Sequence, residues 1–261
     1  MMTLRYASTA LGLFAFGLIG LTPAGRAAEA ADAPQPGIGA DASAAILQMS
    51  KTLSANEFSF QARTIRVYQD DQGQPLHIFH TEKVVVHRPD RLVVRRTGDD
   101  GATDLYYDGK TVTLFGGNGN KYARVDAPNK IEAMFAEVSD LLNIDFPLAD
   151  FVDVDPGKML LSDVTSGREL DPVTINGKPA RHFFFSQAGG VELEVWLDKT
   201  EQATPRRLIV TYRLLPGQPS FIAEFSDWNF SIHPADAEFV FQPPAGATRV
   251  EFQAPEKKED K

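Results

Sequence analysis

Between Glu57 and Val125 the chain is broken at short, even intervals by turn-forming residues. These are Asp70-Asp71-Gln72-Gly73, Arg88-Pro89-Asp90, Asp99-Asp100-Gly101, Asp108-Gly109 and Gly116-Gly117-Asn118-Gly119. The segments between them are Glu57–Gln69, Leu76–Arg88, Arg91–Thr97, Thr103–Tyr107, Thr111–Phe115 and Lys121–Val125. They are rich in β-branched and aromatic residues and read as strands. The pattern resumes at Asn176-Gly177, the strongest hairpin turn in the chain. It continues through His182–Ser186, Val191–Asp198, Arg206–Leu214 and Phe221–Phe230. Such spacing predicts a meandering antiparallel sheet that curls into a sandwich or barrel.

One strongly helical pattern separates the two β regions. Across Pro128–Phe151 the residues Ile131, Met134, Phe135, Val138, Leu141 and Leu142 form one stripe of a 3.6-residue period, with Glu132, Glu137 and Asp140 turned elsewhere. Asp126 and Pro128 supply a start signal, Asn143 and Pro147 a stop. Burying the six side chains would contribute roughly 9–18 kcal/mol gross, so the stripe needs an apolar partner. A second helix is expected from Asp41 or Ser43, with Ala45, Ile46, Met49 and Leu53 on one face. Single helical turns are expected at Pro156–Leu161 and Pro234–Glu238. Residues 41–254 then read as one α+β domain with helices on one side of its sheet, and 128–161 as an insertion into that sheet.

The first 30 residues have the form of a secretory signal: Arg5, the apolar run Leu11–Leu21, and Ala28-Glu29-Ala30 as a cleavage site near Ala30. The apolar run is too short for a membrane span. Residues 31–40 read as a Pro/Gly/Ala linker and 255–261 as a charged, frayed tail. No cysteine is present, which excludes disulfides, thiol catalysis and a lipid-modified N-terminal cysteine. The formal charge of −9 makes nucleic acid and anionic surfaces poor partners. A monomer without stable membrane insertion is expected.

The chemistry-bearing motifs of hydrolases, zinc proteases and nucleotide-binding enzymes are missing from the sequence. His77, His80 and His87 lack ligand spacing, and His182 and His233 read as isolated. Asp99, Asp100 and Asp104 fit an Asp-Gly turn better than a calcium loop. Glu192 and Glu194 share an outward strand face and read as solvated. Neither a catalytic site nor a metal site nor a cofactor is expected.

The aromatic residues are more informative. Phe58, Phe60, Phe183, Phe185, Trp196, Phe221, Phe225, Trp228 and Phe230 are spread over strands expected to neighbour the helices. A curled sheet with such residues on one face, closed by amphipathic helices, can enclose an apolar cavity. Ile131, Met134, Phe135, Val138 and Leu142 would line it from the helix, and Phe58, Phe60, Phe183, Phe185, Trp196 and Trp228 from the sheet.

Arg88-Pro89-Asp90-Arg91-Leu92, Tyr107-Asp108-Gly109-Lys110-Thr111 and Phe239-Val240-Phe241-Gln242-Pro243-Pro244-Ala245-Gly246-Ala247 resemble segments of the lipoprotein-carrier (LolA/LolB-like) group. Phe146-Pro147-Leu148-Ala149-Asp150, Pro205-Arg206-Arg207-Leu208 and Ser226-Asp227-Trp228-Asn229 are similar to a domain-of-unknown-function family of predicted periplasmic proteins related to those carriers. The resemblance implies an unclosed antiparallel β-barrel of about eleven strands with helices over its concave face. It further implies a periplasmic carrier for a lipid, an acyl chain or a lipidated polypeptide. In the carriers the arginine of the Arg-Pro corner latches the helical lid to the barrel through backbone carbonyls, and Arg88 matches it. The alternative is an envelope interaction or sensing module that binds polypeptide segments and carries no lipid.

Overall fold

The computed structural model describes residues 37–142 and 146–251. The signal segment, most of the expected linker and the frayed tail lie outside the described residues. Thirteen strands form one sheet: β1 Glu57–Gln69, β2 Pro75–His87, β3 Arg91–Gly98, β4 Gly101–Tyr107, β5 Thr111–Gly116, β6 Lys121–Asp126, β7 Val164–Glu169, β8 Val173–Ile175, β9 Lys178–Gln187, β10 Val191–Asp198, β11 Pro205–Tyr212, β12 Ser220–Asn229 and β13 Thr248–Arg249. Their order is β13-β6-β5-β4-β3-β2-β1-β12-β11-β10-β9-β7, with β8 paired to β9. The two meanders join where the first strand, β1, pairs antiparallel with β12. The first and last strands in this order, β13 and β7, do not pair with one another, so the barrel is unclosed.

The sequence signals locate most of these strands within two or three residues. Asn176 and Gly177 both have positive φ, 50° and 76°, as a two-residue hairpin requires. Three strands lack a signal of their own: β7, β8 and the two-residue β13. The expected linker is also partly structured. Gly39 donates to the carbonyl of Gly167 (2.8 Å), Gly167 donates to that of Gly37 (3.1 Å), and Ile38 is buried. Gly167 permits this contact because it has no side chain; a Cβ there would meet the Phe185 ring at 2.4 Å.

The helices are α1 Ala40–Leu53, α2 Ile131–Leu142, α3 Ala149–Val152 and α4 Pro156–Leu161. Helix α1 starts behind Gly39 without a side-chain cap, so Asp41 lies in its first turn and does not cap it. Asp155 caps α4 by accepting from Lys158 N, with Pro156 following it. Ser50 Oγ accepts from Gly157 N (2.9 Å) and joins α4 to α1.

Period-two alternation gives the sheet two distinct faces. The inner face carries Phe58, Phe60, Ala62, Val84, Val86, Leu92, Phe183, Phe185, Val195, Leu208 and Phe225, in one core with Ile46, Met49 and Leu53 of α1. On the outer face, a strap of residues 236–250 crosses the first meander. The Phe239 ring lies near His87 of β2 (6.0 Å), and Phe241 packs on Tyr106, Phe115 and Tyr122 of β4, β5 and β6.

Candidate functional site

The corner between β2 and β3 fastens the helices to the sheet. Arg88 is 9% exposed, and each of its guanidinium nitrogens donates to a backbone carbonyl. Nη1 reaches Val152 O at the end of α3 (2.6 Å), Nη2 reaches Leu53 O at the end of α1 (2.9 Å), and Nε reaches Ala55 O (3.2 Å). These carbonyls lie where helix ends leave acceptors without intrahelical partners, and where the helix dipole favours a cation. The guanidinium also lies over the Phe58 ring at 5.6 Å. Burial pushes the Arg88 pKa down, while the carboxylates of Asp153 and Glu132 pull it up. The next residue serves α2: Ile131 N donates to Pro89 O (2.9 Å). The Tyr107 hydroxyl donates to Pro128 O and fixes the approach to that helix. One two-residue corner thus holds three helices.

Beneath them the inner face is aromatic. Phe58 and Phe60 are buried, and Trp228 stacks on Phe60 at 4.5 Å and on Phe225 at 5.8 Å. A bulge makes this placement of Trp228 possible. Phe221, Ala223 and Phe225 face inward, so unbroken alternation would turn residue 228 outward. Instead the β1–β12 register shifts between Ser59 and Gln61, opposite Asn229 and Ser226, and Asp227 takes a φ of 55°. Gln61 Nε2 donates to the Asp227 carboxylate (2.8 Å) and holds the bulge. Trp228 and Phe230 then fall on the inner side, with rings 6.0 Å apart.

From the helical side, Ile131 and Met134 are buried in the same core. Phe135 is half-buried and stacks on Phe146 (5.6 Å) beside it. The side chains of Val138 and Leu142 lie outside the described residues. Phe183 and Phe185 lie side by side on the inner face of β9, 6.4 Å apart. Eight of the expected lining residues therefore come together in one core with Arg88 at its edge: Ile131, Met134, Phe135, Phe58, Phe60, Phe183, Phe185 and Trp228.

Trp196 departs from this expectation. It faces outward, in a separate cluster with Ile175 and Ala180, between the His182 ring (4.1 Å) and the Arg207 guanidinium (5.4 Å). On β10 it shares parity with Glu192 and Glu194, while Leu193, Val195 and Leu197 face inward. His182 is not isolated, since its Nε2 meets Glu194 at 3.0 Å; His233 likewise meets Glu57 at 2.7 Å.

The sequence reading missed two further features near the site. Asp150 on α3 is half-buried beside Asp153, and burial followed by that repulsion raises its pKa to about 6. The inner face also turns polar beyond Ala62: Thr64, His80 and Glu82 are buried, and His80 Nε2 meets Asp100 at 2.7 Å. Surface grooves also occur among the described residues. One, of 640 Å³, lies on the outer face along Ile65, Ile222 and Ile209; another, of 580 Å³, lies between α1 and the turn joining β10 to β11.

The chain belongs to the family described as "Predicted periplasmic protein (DUF2092)", which matches residues 42–253. No curated protein matches it. Solved structures similar to it include an uncharacterized conserved protein from Thermus thermophilus, 11% identical, with a TM-score of 0.45 over 80% of this chain and 97% of that one. A LolA superfamily protein from Nitrosomonas europaea is 10% identical, with a TM-score of 0.39 over 77% and 98% of the two chains. The lipoprotein LppX of Mycobacterium tuberculosis is 15% identical, with a TM-score of 0.44 over 73% and 97%.

Proposed function

We propose that the protein is a non-enzymatic periplasmic binding protein that carries one apolar chain, of a lipid or a lipidated polypeptide, between its inner face and α2. The observation that carries this reading is the aromatic margin of the core. The half-buried rings of Trp228 and Phe230 pack on the buried Phe58, and the half-buried Phe135 and Phe146 stack on one another against the same core, while the helical cover is fastened at the Arg88-Pro89 corner.

In the closed form Ile131 and Met134 occupy the inner face, so a guest has to replace their burial. Each contributes roughly 1.5–3 kcal/mol, or about 3–6 kcal/mol together. At about 0.8 kcal/mol per buried methylene, four to eight methylenes offset that cost. Hexanoate should therefore fail to bind, and palmitate or a phospholipid should bind.

The two tryptophans separate the faces. In a Trp196→Phe protein the sole tryptophan is Trp228, on the inner side. Brominated palmitate is expected to quench it, and native mass spectrometry of delipidated, refolded protein is expected to show one added lipid. A folded sample that takes up neither palmitate nor phospholipid rejects the carrier reading.

A further inference from the structure

We infer that the outer-face groove is a docking site for a short segment of another polypeptide, with two apolar side chains two positions apart and an acidic residue just before them. This is a second surface, independent of the apolar-chain site.

Strand register builds the groove. Phe79, Ile65, Ile222 and Ile209 face each other on β2, β1, β12 and β11, so they form one apolar row running across the strands. Three strand spacings of about 4.8 Å make that row about 14 Å long, the reach of four extended residues. Phe79 at its end is 48% exposed. The neighbouring row is charged: Arg63 faces Glu224, which faces Arg207. Glu224 is committed to Arg207, accepting from its Nη2 at 2.5 Å and from its Nε at 3.2 Å. Arg63 is exposed and makes neither a hydrogen bond nor an ion pair among the described residues. In a chain of net charge −9, the groove thus presents Arg63 beside a half-exposed apolar strip, with the Asp99 carboxylate at the Phe79 end accepting from Phe79 N (3.0 Å).

The chain itself shows what fits this face. The strap runs across the strands of the first meander on the same outer side. It buries Phe239 and Phe241, leaves Val240 exposed, and pairs Glu238 with the outward Arg95 at 3.5 Å. Where β2 and β1 meet β12 and β11, the groove offers the same chemistry, apolar residues across strands with an outward arginine, and no strap residue lines it. The groove is open along its length. A lone acyl chain lying there would keep one side in water, whereas a peptide turns its alternate side chains outward at no cost. Charge complementarity and the strap's own pattern therefore favour a polypeptide.

The test uses fluorescein-labelled octapeptides copying residues 236–243, one with Glu238 and one with Glu238→Lys, in anisotropy titrations against the whole protein. The acidic peptide is expected to bind about tenfold or more tightly than the lysine peptide. Arg63→Glu should abolish that preference, and Phe79→Ser should weaken both peptides; both sites are exposed, so folding is spared. Palmitate binding at the inner face should not change in either variant, which separates this inference from the carrier reading. Three outcomes would overturn it. One is no binding of either peptide up to about 1 mM. Another is binding indifferent to both substitutions. The third is displacement of the bound peptide by dodecanoate with an affinity that Arg63→Glu reduces, which would assign the groove to a free amphiphile.

Discussion

Replacing Arg88 with methionine should loosen the helices from the sheet without unravelling the sheet itself. The guanidinium makes two fully buried bonds, to Val152 O on α3 (2.6 Å) and Leu53 O on α1 (2.9 Å). Hydrogen bonds to a charged donor contribute roughly 1.5–3 kcal/mol each, so the gross loss is about 3–6 kcal/mol. The third bond, to Ala55 O, is only partly buried, and water can replace it. Against the loss stands a gain, because methionine removes the cost of burying a charge, the effect that pushes the Arg88 pKa down. A net destabilisation of about 2–4 kcal/mol remains. Lysine should recover less than half of it, since one ammonium cannot reach carbonyls on two helices that are served by separate nitrogens. Urea unfolding gives the free-energy change, and hydrogen exchange locates it. Faster exchange is expected at the end of α1, in α3 and in the first turn of α2, with β1, β2 and β12 unchanged. A loss below about 1 kcal/mol, or exchange that rises evenly through the sheet, would refute the idea that this corner is the fastening.

Asp150 has a folded pKa near 6, raised above its ordinary value, so its burial is tolerated best when protonated. Its contribution to stability is present at low pH and lost as pH rises through about 6. Asp150→Asn should therefore stabilise the protein at pH 7 by up to ~3 kcal/mol and hardly at all at pH 4, as Tm measured across that range would show. Gly167→Ala places a Cβ against the Phe185 ring and should cost about 1–3 kcal/mol in urea unfolding, with the 37–39 segment releasing first in limited proteolysis. An unchanged midpoint would mean that the Phe185 ring moves aside freely.

The fold was largely legible because turn chemistry and alternation act locally. Asn176-Gly177, Asp108-Gly109 and the β-branched runs each specify their own conformation. What escaped depends on distant partners. Strand β7 holds Ser166, Gly167 and Arg168, a weak strand sequence, and it forms because β9 and the segment before α1 flank it. The two-residue β13 forms only by lying parallel to β6. In the site, the inner rings Phe58, Phe60, Phe183 and Phe185 could be read from parity. Trp196 lies outside because on β10 it shares parity with Glu192 and Glu194, a local signal that outweighs the size of its ring. Aromatic partners outside, His182 and Arg207, make that position tolerable.

Trp228 illustrates the opposite case, and it shows why the inner and outer surfaces depend on one another. Parity alone sets it outside, and one bulge residue, Asp227, brings it in. The same strand carries Ile222 and Glu224 to the outer groove. A single β12 thus supplies inner rings at both ends and an outer binding row between them, and the extra residue lies beyond that row. Had the bulge fallen before Ile222, the outer row would have lost its register with Ile65 and Ile209, and Glu224 would no longer face Arg63 and Arg207. The position of the irregularity is therefore what allows one strand to serve two surfaces. Removing it should disturb Trp228 first and leave the outer charges in place.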